Sequence, residues 1–240
     1  MCVIGDAIEL LDYCLHESFN ATCPRDHVIV MMTAIYGRMR SGRCITSDYG
    51  QVGCSTDVLG IFDDNCSGRS RCLVEVRELV DIHPCQRDFS SYLEASYQCV
   101  RLPGKRNSCH EVQQHTNTNA SGYLGLVSMT SPSFGTKACP WQIQVPKGQK
   151  INVTFLDLGM KRYIKEGYLS PDCSTSLVIQ ERGTRIWTLE ICRGRHRSQH
   201  VFTSGGNYVK IFIDRLPTAM DGMFRSDFLL EYKGKTCVRS

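Results

Sequence analysis

Apolar and polar positions alternate in short runs along this chain, and the runs are of two kinds. Residues 27–32 (HVIVMM) and 73–76 (LVEV) read as buried or half-buried strands, and residues 92–99 (YLEASYQC) alternate as a strand closing a sheet. Residues 56–62, running into Asp63-Asp64-Asn65, read as a short helix. Further along, strand-like runs recur at 122–127, 141–145, 151–156, 177–181, 186–191, 208–213 and 228–232, with Gly, Pro and Ser between them. Many short strands spaced by turn residues predict a β-sandwich for this half. No repeat of 20 to 50 residues is present, and no apolar run approaches the roughly 18 residues that a membrane-spanning helix needs.

Composition sharpens the pattern. With 240 residues, 42% of them hydrophobic, the chain is long enough for two medium domains. Its 14 cysteines are spread over the whole length, and no C-x2-C pair occurs, so oxidised pairs in a secreted protein fit better than a zinc scaffold. N-x-[ST] sequons stand at Asn20, Asn65, Asn119 and Asn152, the acceptor pattern for glycosylation in the same pathway. A signal peptide and any membrane anchor are expected outside this segment, which begins Met1-Cys2.

Charge divides the chain. Residues 1–100 hold 8 Lys+Arg against 14 Asp+Glu, a balance of −6, and residues 101–240 hold 20 against 10, a balance of +10. The polar stretch Arg101-Leu102-Pro103-Gly104-Lys105-Arg106-Asn107-Ser108 lies where the balance changes, so the domains are read as 10–100 and 109–237 with 101–108 as a short linker.

Eight cysteines between Cys14 and Cys99, with Tyr36-Gly37-Arg38, Cys66-x5-Cys72, Pro84-Cys85 and Tyr92-Leu93-Glu94, make the first half resemble the SUEL-type, galactose/rhamnose-binding lectin domain. Spacing alone leaves 105 pairings of eight cysteines open. The resemblance implies Cys14 with Cys44, Cys23 with Cys99, Cys54 with Cys85, and Cys66 with Cys72. It also implies a sugar site built from an acid after the first cysteine, the Tyr-Gly-Arg turn and an Asp-Pro-Cys loop. Carboxylates suit such a site because they accept paired hydrogen bonds from neighbouring sugar hydroxyls. Here Leu15 replaces the first acid and the loop reads His83-Pro84-Cys85, so only Tyr36-Gly37-Arg38 is intact. Two lost charge-assisted bonds of roughly 1.5 to 3 kcal/mol each argue against monosaccharide binding, unless Glu17, Asp81 or Asp88 substitutes. The carbohydrate-binding candidates are Tyr36, Gly37, Arg38, Asp81 and Tyr92.

The second half resembles a CUB domain through Gly122-Tyr123-Leu124-Gly125, Ser131-Pro132-Ser133-Phe134, Cys139-Pro140-Trp141-Gln142-Ile143, Pro146-Lys147-Gly148-Gln149 and Phe155-Leu156-Asp157-Leu158. The resemblance implies an antiparallel β-sandwich with Cys109 bonded to Cys139 and Cys173 to Cys192. Each loop so closed removes roughly 3 to 4 kcal/mol of unfolded-chain entropy. The calcium-binding acids of that family fall on Gly159 and Ser176, leaving only Asp214 or Asp221, so no calcium is expected.

Basic clusters in this half, Lys161, Arg162 and Lys165 and then Arg193, Arg195 and Arg197, suit a sulfated glycosaminoglycan such as heparan sulfate; Arg182 and Arg185 add to them. Nucleic acid does not suit an oxidised extracellular module. Cys192, His196 and His200 are spaced like metal ligands, but the expected disulfide takes Cys192, so neither metal nor cofactor is expected. No G-x-S-x-G accompanies His16, His27, His83, His110 or His115, and no enzyme is read here. Cys2 and Cys237 are left over, open to bonding each other, lost partners or a second chain in a dimer. The fold expectation is mainly β, a small α/β disulfide-rich lectin-like domain plus a β-sandwich. The functional expectation is an extracellular module, secreted or at the cell surface, binding a protein ligand or co-receptor, with a genuine galactose/rhamnose lectin or heparan-sulfate binding as the alternatives.

Overall fold

The computed structural model describes residues 10–50, 52–86, 89–103, 112–114, 120–126, 135–158, 172–183, 185–193, 196–215 and 228–236, the side chains at 112, 126, 172–175, 193, 215 and 236 excepted. The chain is mainly β and separates into two compact units, 1–100 and 101–240. Of the expected linker, Arg101 ends a strand and Leu102 is buried, while 104–108 lie outside the described residues.

In the first unit, β1 (Leu11–Tyr13), β6 (Tyr92–Arg101), β3 (His27–Arg38) and β4 (Cys54–Asp57) form one sheet in that order, and β2 (Ser18–Thr22) pairs with β5 (Arg71–Glu75) as a separate antiparallel ribbon. Both ribbon strands alternate strictly, with Phe19, Ala21, Cys72 and Val74 turned inward. β3 shows little alternation because Val28, Ile29, Val30 and Met31 are all buried, so its first half is covered on both faces. The core centres on Phe19, whose ring meets Phe62 and Tyr13 edge-on with centroids 5.3 and 5.4 Å away.

The helix α1 spans Leu59–Cys66, three residues later than the sequence pattern suggests. Thr56 and Asp57 belong instead to β4, and the Asp57 carboxylate accepts from the amide of Leu59, the first helical residue, at 2.7 Å. At the other end the Ser67 hydroxyl donates to Asp63 at 2.6 Å and accepts from the Met31 amide at 3.1 Å, which fastens the helix to β3. Val76, expected to end a strand, opens the 3-10 helix Val76–Ile82. Disulfides join Cys14 to Cys44, Cys23 to Cys99, Cys54 to Cys85 and Cys66 to Cys72, the set that the resemblance implies.

The second unit holds two sheets around one apolar core. One sheet has the order β13 (Ser198–Thr203), β10 (Gln149–Asp157), β15 (Phe228–Thr236), β8 (Ser121–Leu126). The other has β12 (Ile186–Arg193), β11 (Asp172–Glu181), β14 (Tyr208–Arg215), β9 (Trp141–Gln144) and β7 (Val112–Gln114), with β7 parallel to β9 and the remaining pairs antiparallel. Trp141, Ile143, Phe155, Leu177, Ile211 and Phe228 fill the space between them. Cys139 and Cys192 are both disulfide-bonded; Cys109 and the Cys173 side chain lie outside the described residues, as do Cys2 and Cys237.

Candidate functional site

Three separated stretches of the first unit meet at one cavity of about 200 Å3. The turn after β1 brings Leu15, the end of β3 brings Tyr36, and the segment after the 3-10 helix brings His83, Pro84, Cys85, Gln86, Phe89, Ser90 and Ser91, with Val80 at the edge. Covalent ties place these stretches: Cys14–Cys44 holds the first, and Cys54–Cys85 fixes the third to the start of β4. The volume lies below the roughly 300–1,000 Å3 of pockets for drug-sized ligands, so it suits a single small ring.

The Tyr-Gly-Arg turn divides its labour. Tyr36 faces the cavity with its hydroxyl hydrogen-bonded to Ser91, and burial pushes that hydroxyl's pKa up while the Ser91 bond opposes the shift. Gly37 lies opposite Ser55 on β4, where a Cβ would collide with the Cys54 carbonyl oxygen and stand 2.6 Å from the Ser55 Cα. Arg38 is 3% exposed, and its guanidinium donates to the Ser90 carbonyl at 2.9 Å and to the Ser47 carbonyl at 3.0 Å. It also stacks on the Phe89 ring, 4.9 Å from the centroid. Arg38 is therefore a clip between two loops, and it does not line the cavity.

The remaining sugar-site candidates go elsewhere. Asp81 is exposed on the 3-10 helix and outside the cavity lining. Tyr92 is buried beside Arg40, and burial is the first cause of the rise in its hydroxyl pKa, followed by the opposing Arg40 charge. Glu17, a candidate substitute acid, lines a second, open groove with Leu10, Leu11, Asp12, Arg40 and Arg43. Its carboxylate accepts from Arg43 at 2.5 and 2.8 Å and from the Cys14 amide at 2.8 Å, and the Arg43 bond leads in holding its pKa below the usual glutamate range. Arg40 is paired with Asp12 at 3.0 Å and with Glu94. Asp88 lies outside the described residues. Among the described residues the cavity lining thus contains no carboxylate, and its polar groups are Tyr36, His83, Gln86, Ser90 and Ser91.

The sequence reading placed Phe89 and Ser90 in the segment after Pro84-Cys85 without naming them as binding candidates, and it missed Ser91 and Val80, which no short motif marks. Two backbone outliers flank the same region. His83, on the lining, has φ +45°, and Tyr49, in the loop that Arg38 clips through Ser47, has φ +36°. Cys14, Glu17 and Cys44 come close together in the manner of metal ligands, but both sulfurs are used in their disulfide.

Among the sequons, Asn20 is exposed on the ribbon opposite Leu73, which is itself 67% exposed. Asn65 donates from its side chain to the Ile61 carbonyl at 3.0 Å, and its sequon hydroxyl, Ser67, is buried. Asn152 accepts from Thr203 at 3.0 Å on β10, and Asn119 lies outside the described residues. Of the basic cluster, Lys161, Arg162, Lys165, Arg195 and the side chain of Arg193 lie outside them too, as does Asp221; Arg197 is half-buried and its carbonyl accepts from the Asp157 amide at 2.8 Å.

Residues 21–99 match the D-galactoside/L-rhamnose binding SUEL lectin domain. An L-rhamnose-binding lectin of Echinometra lucunter, ELEL-1, is 34% identical over 91 residues, which is 37% of this chain and 87% of that protein. The full extracellular region of zebrafish Gpr126/Adgrg6 is 19% identical with a TM-score of 0.31, and the match covers 55% of this chain and 15% of that one. The cysteine frame, the Tyr-Gly-Arg turn and a lectin relative of which the chain covers nearly the whole length lead to one conclusion: the chain belongs to the D-galactoside/L-rhamnose binding SUEL lectin domain family.

Proposed function

We propose that the first unit binds carbohydrate, taking one neutral sugar ring of galactose/rhamnose type in the cavity beside Tyr36. The observation that carries this reading is the convergence of Leu15, Tyr36 and His83-Pro84-Cys85 on one small cavity, the three places where the resemblance implies a sugar site. The missing acids made a protein ligand the first reading of the sequence. The family and the rhamnose-binding relative favour sugar instead, and the cavity offers neutral hydrogen-bonding groups in place of the acids.

The chemistry of the lining selects between the two sugars. Leu15, Val80, Pro84 and Phe89 give the cavity an apolar side. L-rhamnose carries a methyl group at C6, which needs no hydrogen bond, whereas D-galactose carries a hydroxyl there that costs free energy when it is buried unpaired. Titration of the full chain with both sugars is expected to show weak binding with rhamnose preferred. The Leu15→Glu, His83→Asp double variant restores both acids and is expected to bind at least about tenfold tighter, since each charge-assisted bond contributes roughly 1.5 to 3 kcal/mol. No heat from either protein with either sugar would sink the proposal.

The second unit is, on this reading, a CUB-type module. Its two sheets around one core and its bonded Cys139 and Cys192 support that assignment, and peptide mapping is expected to find Cys109–Cys139 and Cys173–Cys192. The four disulfides among the described residues of the first unit support an oxidising, extracellular setting, and the lectin family and its rhamnose-binding relative support a binding role.

A further inference from the structure

Beside the cavity stands a largely exposed aromatic side chain on a strained loop residue. Tyr49 is 75% exposed, and it holds φ +36°, a left-handed conformation that disfavours a bulky side chain. Strain of this kind persists only where surrounding contacts impose it, and it gathers at functional sites. Here the contacts are visible. Arg38 reaches from β3 to the Ser47 carbonyl on one loop and the Ser90 carbonyl on the other, and packs its guanidinium on Phe89. Phe89 lines the cavity, and the Tyr49 ring lies next to it, tilted by 31° with the centroids 6.1 Å apart. The buried clip therefore holds two aromatic rings side by side, one in the cavity and one just beyond it.

From this geometry we propose that Tyr49 is a second sugar subsite, stacking on the ring joined to the one in the cavity, so that the ligand is a glycan of at least two units. The inference rests on the proposal that the cavity binds sugar. A tyrosine suits the task because the C–H face of a pyranose packs on an aromatic plane, and because the side chain has few rotamers to freeze. Its exposure leaves the face open, while its neighbour Phe89 fixes its distance from the first ring. The volume of the cavity agrees, since about 200 Å3 leaves a second ring outside.

The test is calorimetric titration of the full chain with L-rhamnose, D-galactose, a rhamnobiose and lactose. A disaccharide is expected to bind roughly 3- to 10-fold tighter than its terminal monosaccharide, the gain expected from one aromatic contact. Tyr49→Ala is expected to remove that gain while leaving the monosaccharide affinity within about twofold, and Tyr49→Phe is expected to keep it. Equal affinity for one and two rings in the wild type, or a gain that survives Tyr49→Ala, overturns the subsite and leaves sugar binding by the cavity intact. A failure of all four sugars to bind overturns both. An equal fall of monosaccharide and disaccharide affinity in Tyr49→Ala also overturns the subsite, because it marks Tyr49 as support for the cavity alone.

Discussion

Arg38 joins two loops beside the proposed sugar site without lining its cavity. Its two carbonyl acceptors sit 9 and 52 residues away in sequence, and both bonds are made by a buried charge, so truncating the side chain removes two charge-assisted bonds and the packing of a buried side chain. Arg38→Ala is expected to destabilise the first unit by about 3 kcal/mol in urea unfolding and to weaken sugar binding through the loosened loops. Arg38→Lys is the sharper variant. An ammonium keeps the charge but lacks the planar fork that bridges two acceptors, so it is expected to recover part of the stability and little of the binding. A lysine variant equal to the wild type in both measurements would show that charge alone matters. The resemblance drew attention to Arg38 because it belongs to a three-residue motif. Its role was not legible there, because the acceptors are backbone carbonyls that carry no sequence signal. The same holds for Phe89 and Tyr49, which become neighbours only after the chain closes around Arg38.

Among the elements, those with enough apolar residues to alternate were legible and the rest were not. β3, β6 and most strands of the second unit follow the sequence pattern, whereas β1, β2, β4, β7 and β13 do not announce themselves. β2 buries only Phe19 and Ala21, and β4 buries no side chain fully, so each is defined by its partner strand and by cysteine ties more than by its own residues. β1 is a three-residue edge strand, and the loop carrying Arg40 and Arg43 is clamped against it and the following turn through Asp12 and Glu17. That clamp gives a pH dependence with a definite sign. Because the Glu17 pKa is lowered in the folded chain, its contribution is fully present above the usual glutamate range and disappears as the pH falls through the lowered value. The difference in Tm between wild type and Glu17→Gln is expected to be small at neutral pH, to shrink as salt is added, and to vanish in acid. A difference that grows in acid would contradict the ion-pair account.

At the scale of the whole chain, the proposed sugar site rests on disulfides, which an oxidising compartment supplies. The first unit has 100 residues and, among those described, four disulfides, of which Cys14–Cys44 and Cys54–Cys85 hold the stretches that bring Leu15 and His83-Pro84-Cys85 to Tyr36. The Cys23–Cys99 bond joins the end of β2 to β6 across a sequence separation of 76, removing on the order of 4 kcal/mol of unfolded-chain entropy. Apolar burial around Phe19 gives the unit a core, but the loops that form the cavity have few buried apolar side chains of their own. Stepwise reduction is therefore expected to abolish rhamnose binding before it unfolds the β3–β6 sheet. Titration with a thiol reductant, following sugar binding by calorimetry and strand content by far-ultraviolet circular dichroism, separates the two events. Coincident loss of both signals would mean that the disulfides hold the whole unit and not the site in particular. Binding that persists after Cys54–Cys85 is reduced would place the sugar away from the cavity.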